Sequence, residues 1–251
     1  MGAVTCLEPA GRTAMLFLPD GRLAIAPAGG VVESLLRHAV GEESKRDVCL
    51  IQCLVDPDDA ANRAVLIRAG FSEIATLVYM ERRFPPDPPS APGDESLPLS
   101  TYDERRHPMF ARLLVDTYRD SLDCPGLTGL RAVEDIIAGH RGAGLFDPRY
   151  WWIVMRGGEP AGCILLIENP LRPILELTYM GVHPDQRRRG LARCLLAHGL
   201  DIARRGGFEA VTLAVDAANQ PARALYRSFG FQETTRRRAL IRSVDSSSIE
   251  P

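Results

Sequence analysis

Three arginines run together in "PDQRRRGLA", residues 184–192, just before a glycine and the start of an apolar helical pattern. Backbone N–H groups at a helix start are unpaired, and the helix dipole adds partial positive charge there. Small residues at Gly190 and Ala192 let a bulky anion approach the backbone, and Arg187, Arg188 and Arg189 add charge-assisted contacts. The physical reading is a pyrophosphate cradle. Further on, Asn219 and Tyr226 lie seven residues apart, two helical turns, and so share a helix face. Upstream, Glu176 sits among leucines in "LELTYMGV". A lone carboxylate in an apolar strand is costly, so Glu176 either faces a wet cleft or pairs with an arginine. Strand alternation puts Glu176, Thr178, Met180 and Val182 on one face, and Leu175, Leu177, Tyr179 and Gly181 on the other.

Elements to position these residues can be read around them. "HPMFARLLVDTYRDS" and "GLRAVEDIIAGHRGA" have helical apolar spacing, and "YWWIVMRGGEPAGCILLIE" is two strands about a Gly-Gly turn. "PILELTYMGV" is a third strand, "GLARCLLAHGLDIARRGG" a glycine-closed helix, and "EAVTLAV" a buried strand. "NQPARALYRSFG" is a second capped helix, and "FQETTRRRALIRS" finishes the sheet. Helices on a mixed sheet follow, an α/β (α+β) architecture.

The bulk composition narrows the function classes. The 251 residues carry a net charge of -2, against a general nucleic-acid binder, and 45% are hydrophobic, enough for real cores. No apolar window reaches membrane-spanning length, and "MGAVTCLEPAGRTA" lacks the basic and apolar regions of a signal peptide. Gly2 follows Met1, but Cys6 stands where myristoylation wants Ser or Thr. Six scattered cysteines form no CxxC pair, and Cys49 and Cys53 in "CLIQCL" read as a buried strand rather than a metal clip. The expectation is reduced thiols in a cytoplasmic protein with no metal, membrane or nucleic-acid partner.

A proline-rich stretch, "RFPPDPPSAPGDESLPLS" over 83–100, marks a linker. Its flanks are related: "LVDPDDAANRAVLIRAGF" (54–71) aligns with "AVDAANQPARALYRSFGF" (214–231) at an offset of 160 residues, without a gap back to Gly30 and Gly190. Ten of those 42 positions match, so a helix–strand–helix–strand unit occurs twice. The expected organisation is a truncated first copy over 1–83, a linker over 84–98 and a second copy over 99–245. Upstream of Gly30 the register is weaker, because "LPDGRLAIAP" looks like a hairpin turn at Pro19-Asp20-Gly21.

"VHPDQRRRGLARCLL" resembles the V-x-P-x-x-R/Q-x-x-G-x-G/A signature of the GNAT N-acetyltransferase superfamily, and "AVDAANQPARALYRSFGF" resembles its following strand–Asn–helix–Tyr–Gly-Phe motif. The resemblance covers about 99–242 fully and 30–82 in degenerate form. It implies the GNAT-type mixed, mostly antiparallel sheet flanked by helices, in two copies with the first truncated. It implies acetyl-CoA as acyl donor, transferred directly to an amine of a small molecule or peptide. The pyrophosphate would lie on the loop of Arg187, Arg188, Arg189, Gly190, Leu191 and Ala192, and the pantetheine on the strand at Met180, Gly181 and Val182. Asn219 would touch the CoA arm, Tyr226 would protonate the departing thiolate, and Glu176 would act as the base, directly or through water. A phenol of pKa about 10 suits a thiolate of similar basicity.

In the first copy Pro27, Ala28 and Gly29 replace the arginines, Asp59 replaces Asn219 and Leu66 replaces Tyr226, which predicts a non-catalytic half. The chain is then a monomer with pseudo-dimeric halves or a homodimer. "SLDCPGL" (121–127) joins the two early helices where acceptor pockets form in this fold, so Asp123 or Cys124 could meet substrate. Trp151 and Trp152 alternate faces, one toward the core and the other toward a cleft, and His183 reads as a structural or solvent-facing residue rather than a catalyst. The competing class is a non-catalytic acyl-CoA-binding or regulatory protein, from which Tyr226 and Glu176 distinguish the enzyme.

Overall fold

The computed structural model describes residues 5–7, 10–18, 29–43, 46–85 and 98–244. The expected turn at 19–21 and the middle of the proline-rich stretch lie outside the described residues. The first half contains β1 (Thr5–Leu7), β2 (Thr13–Phe17), α1 (Gly29–Glu43), β3 (Leu50–Val55), α2 (Ala60–Arg68) and β4 (Ser72–Arg83). The second contains β5 (Leu99–Thr101), α3 (His107–Tyr118), α4 (Val133–Gly142), β6 (Trp151–Arg156), β7 (Glu159–Glu168) and β8 (Ile174–Val182). It continues with α5 (Leu191–Arg205), β9 (Ala210–Asp216), α6 (Gln220–Ser228) and β10 (Gln232–Ser243).

The ten strands among the described residues form one sheet, in the order β1-β2-β3-β10-β4-β9-β8-β7-β6-β5. Only the β2/β3 and β8/β9 pairings are parallel; the other neighbours are antiparallel. The last strand of each half is exchanged. β4 does not pair with β3 but lies against β9, while β10 lies against β3, and β4 and β10 pair with each other at the centre. The expectation that β10 simply ends the second half's sheet is thereby corrected. Both outer pairings keep one register: Arg238 opposes Val55, and Val78 opposes Val215, each partner displaced by 160 residues from its counterpart.

Three apolar clusters hold the sheet to its helices. Leu191, Leu195, Leu196 and Leu200 of α5 and Tyr226 of α6 pack on Val78, Met80, Leu175, Leu177, Leu213 and Val215. Phe110 and Leu114 of α3 and Ile137 of α4 pack on Trp151, Ile153, Cys163 and Leu165. Leu36, Val40, Val65 and Leu66 pack on Ala14, Leu16, Ile51, Cys53 and Leu240. The α3 and α5 helices therefore cover β7 and β8 from opposite sides, as the apolar spacing requires. The Gly157-Gly158 turn between β6 and β7 has both residues at positive φ, where a Cβ is strained. All six cysteines are free thiols, Cys53 and Cys163 buried.

Candidate functional site

The parallel ladder between β8 and β9 runs only from Ile174/Ala210 to Leu177/Leu213. Beyond it the two strands part, and β8 from Thr178 to Val182 keeps a partner only on its β7 side. The opening is a groove of about 650 Å³, walled by Leu177–Val182, by Ala214 and Val215, by the 120–123 loop, and by the starts of α5 and α6.

The β8 strand carries a bulge. Leu165 opposes Tyr179 but Leu166 opposes Leu177, so Thr178 is the extra residue. The expected alternation is therefore corrected: Leu175 and Leu177 share the α5 core with Met180 and Val182, while Tyr179 packs toward α3. The bulge turns Glu176 to the face opposite that core, where it opposes Thr212. Glu176 is partly buried, and burial raises its carboxyl above the usual range. It makes no ion pair or hydrogen bond among the described residues, so the arginine-paired alternative does not hold.

At one end of the groove the chain turns through Pro184–Gln186 into α5, with Arg188 at φ 61° and Gly190 at φ 83°. Arg187 N–H bonds the Pro184 carbonyl, and the first α5 bond runs from Cys194 N–H to the Gly190 carbonyl. The intervening amides, 188–193, donate to no backbone carbonyl of the described residues. A Cβ on Gly190 would meet nothing within 4 Å, so the space before these amides is open. An open row of unpaired N–H groups at a helix start fits a diphosphate.

The three arginines are not equivalent. Arg187 turns back on the protein: Nε donates to the Val182 carbonyl (3.2 Å), Nη1 to Asp120 (3.0 Å), and Nη2 to Thr117 (3.1 Å) and Arg119 (2.6 Å). Its guanidinium caps the carbonyl end of α3 and ties the loop to β8. The side chains of Arg188 and Arg189 make no such bonds, while Arg193 bonds Ser228 Oγ (3.3 Å) and lies over the Phe229 ring.

The groove's inner wall is locked by a reciprocal contact. Asp123 accepts the Asp216 N–H (2.8 Å), while Asp216 accepts Cys124 N–H (3.2 Å) and Ala218 N–H (2.9 Å). Burial, aided by the Asp216 charge, raises the Asp123 carboxyl. Asn219 caps α6 by accepting Ala222 N–H (3.2 Å), and its side chain helps hold the Asp123 charge. Tyr226 is 7% exposed, lines the groove, and packs its ring 5.7 Å from Phe231. Burial first, and the Asp123 charge second, push the Tyr226 phenol well above 10. Nearby, Tyr179 bonds Thr117 (2.8 Å), and both crowd Gly181, where a Cβ would lie 2.7 Å from either oxygen.

The groove thus gathers Met180, Gly181, Val182, Arg187, Arg188, Gly190, Leu191, Ala192, Asn219 and Tyr226. Glu176 and Arg189 do not line it. Asp123, singled out in sequence only by the loop it occupies, does. Trp151 is fully buried, and Trp152 packs edge-on to His198 at 4.3 Å rather than facing the groove. His183 accepts the Asp185 N–H through Nδ1, a turn contact. Among the described residues no cluster of three metal-ligating side chains occurs, and no helix is long and apolar enough to cross a membrane.

Residues 112–231 match the model of the acetyltransferase (GNAT) family. The mycothiol acetyltransferase of Thermomonospora curvata is 33% identical over 175 residues, 69% of this chain and 57% of that protein. The ribosomal protein bS18-alanine N-acetyltransferase of Escherichia coli is 46% identical over 59 residues, 24% of this chain and 40% of that enzyme. The chain spans 35%, 57% and 22% of the length of three mycothiol acetyltransferases it matches. In fold it is similar to a GCN5-related N-acetyltransferase from Sphaerobacter thermophilus (TM-score 0.67, 16% identity, 96% of this chain and 76% of that one). It is also similar to a tandem GNAT protein from the clavulanic acid biosynthesis pathway (TM-score 0.57, 17% identity, 98% of this chain and 80% of that one).

Proposed function

We propose that the protein, whose residues 112–231 match the GNAT acetyltransferase family, moves an acetyl group from acetyl-CoA directly to a primary amine. The observation that carries this reading is the parting of β8 and β9 beyond Leu177 and Leu213, with unpaired helix-start amides at one end and Tyr226 in its wall. In this reading the amides of 188–193 take the diphosphate, with Arg188 and Arg189 adding charge from their free side chains. The unpaired edge of β8 at Met180, Gly181 and Val182 runs alongside the pantetheine arm, and Asn219 touches that arm from the α6 start.

Glu176 takes a proton from the ammonium, directly or through water. The freed nitrogen lone pair forms the N–C bond to the thioester carbonyl, giving a tetrahedral oxyanion. Collapse of that oxyanion breaks the C–S bond, and the Tyr226 hydroxyl gives its proton to the departing sulfur. The amide nitrogen sheds its second proton and Tyr226 regains one, through solvent. The balance is one ammonium and one thioester converted to one amide, one thiol and one proton. Burial keeps the Tyr226 hydroxyl protonated before the donor arrives, so the proton that the departing thiolate needs is in place.

The first half, in this proposal, is a degenerate copy that does not catalyse. Support comes from the shared 160-residue register, from Asp59 capping α2 through Asn62 N–H (3.0 Å) as Asn219 caps α6, and from Leu66, fully buried where Tyr226 faces a groove. The test is calorimetric titration with acetyl-CoA, followed by a panel of primary amines with free thiol as the readout. One donor site per chain and amine-dependent thiol release are expected. Two equivalent donor sites, or donor binding with no amine-dependent release, contradict the reading.

A further inference from the structure

The sheet that borders the groove is not built by the second half alone. β4, from the first half, pairs with β9 from Leu77/Asp216 to Arg83/Ala210. Tyr79 therefore opposes Ala214, and Glu81 opposes Thr212, which in turn opposes Glu176 on β8. Cross-strand partners share a face, so Tyr79, Ala214, Thr212 and Glu176 look the same way. The opposite face holds Val78, Met80, Leu213, Val215 and Leu177, all in the α5 core.

Three features of this face point to a ligand. Ala214 is exposed, so the floor between Tyr79 and Glu176 is open and small. The Tyr79 hydroxyl bonds no described residue, yet Tyr79 stands close enough to feel the Glu176 charge. Glu176 itself is partly buried without a hydrogen bond or cation, an arrangement that costs free energy unless something completes it. By contrast Glu81, two residues along β4 from Tyr79, is paired with Arg83 and Arg172. Beside the same strand, the 121–127 loop is wedged between halves. Asp216 holds one end, and at the other a Cβ on Gly126 would sit 2.9 Å from Ile74 of β4.

We propose that the acceptor's ammonium is held between Glu176 and Tyr79, which makes β4 of the first half an acceptor-binding element of the domain that follows. The proposal rests on the acetyltransfer reading above. The carboxylate accepts from the ammonium N–H groups, and the Tyr79 ring offers a π face beside it. Ile74, on the same strand, lies close against Gly126 of the neighbouring loop. On this account the first copy was kept not for chemistry but because its last strand supplies a wall that the second half lacks.

The experiment uses the full chain, an n-alkyl monoamine, an amino sugar and an alanyl peptide as acceptors, and free thiol as readout. With the best of the three, Tyr79→Leu is expected to raise acceptor KM about 10-fold, within the ~2- to 30-fold that a cation–π contact supports. Tyr79→Phe, which keeps the ring, should stay within about 3-fold of the parent. Acetyl-CoA affinity, measured by calorimetry, should stay within about 2-fold in both variants, which separates this contact from a general loss of structure. Donor binding with none of the three amines acetylated overturns the ammonium class. An acceptor KM unchanged in Tyr79→Leu, or a parallel loss of donor affinity, overturns the composite pocket while leaving acetyltransfer standing. Failure of the parent chain to bind acetyl-CoA overturns the acetyltransfer reading itself, and this proposal with it.

Discussion

Replacing Tyr226 with phenylalanine isolates one proton. The ring sits in the α5 core against Phe231, and phenylalanine keeps that packing. Tyr226 lines the groove and its hydroxyl makes no hydrogen bond to a described residue, so its removal should change folding stability by less than about 1 kcal/mol. What is lost is the acid for the departing thiolate. General acid catalysis contributes about 10²- to 10⁴-fold, or roughly 3 to 5 kcal/mol of barrier, so kcat should fall by that factor. Acetyl-CoA affinity should hold within about 2-fold, since the amides and the β8 edge are untouched. The sign of the pH effect follows from the raised phenol: an acid must carry its proton, and a phenol pushed above 10 carries it throughout the neutral and mildly alkaline range. The parent profile should therefore show no alkaline decline below pH about 10 that vanishes in Tyr226→Phe. Free-thiol release at saturating donor, with a melting curve of each protein, is the assay. A kcat within about 3-fold of the parent, with normal folding, would refute the acid role.

Three further perturbations follow from the same geometry. Glu176→Gln should flatten the acidic limb of the rate profile, which in the parent lies above the ordinary carboxylate range because burial raises that carboxyl; an unchanged profile removes Glu176 from the mechanism. The same substitution should raise the melting temperature at neutral pH and lose that gain in acid, since the folded state holds the Glu176 proton more tightly than the unfolded chain does. Gly190→Ala meets no neighbour within 4 Å, so only the φ of 83° is strained; about 1–2 kcal/mol of stability should go, with weaker donor binding by calorimetry. Arg187→Lys breaks the contacts to the α3 carbonyls and should lower both melting temperature and donor affinity, whereas Arg188→Ala should lower donor affinity alone, by about 2- to 10-fold.

Local features of the site were legible in the sequence, and long-range ones were not. The arginine loop, the Gly190 helix start and the Asn219 cap are written in short stretches whose residue types have direct backbone consequences. The exchange of β4 and β10 is not, because it pairs segments far apart in the chain, and no short stretch records which neighbour a strand takes. The bulge at Thr178 leaves the strand's composition intact while shifting its phase, so alternation alone set Glu176 beside Met180. The three arginines look alike in sequence, and only the approach of α3 assigns Arg187 to the Thr117, Arg119 and Asp120 carbonyls. Asp123 was marked by its loop, but its bond to Asp216 joins residues 93 positions apart. Tyr79 carried no local signal: it stands near Glu176 only because β4 crosses between halves.

The most direct measurement is a crystal structure of the full chain with acetyl-CoA. The account requires diphosphate oxygens within hydrogen-bonding reach of amides between residues 188 and 193, the thioester between β8 and β9, and the sulfur beside the Tyr226 hydroxyl. Donor density elsewhere, or a Tyr226 hydroxyl turned away from the sulfur, would contradict it.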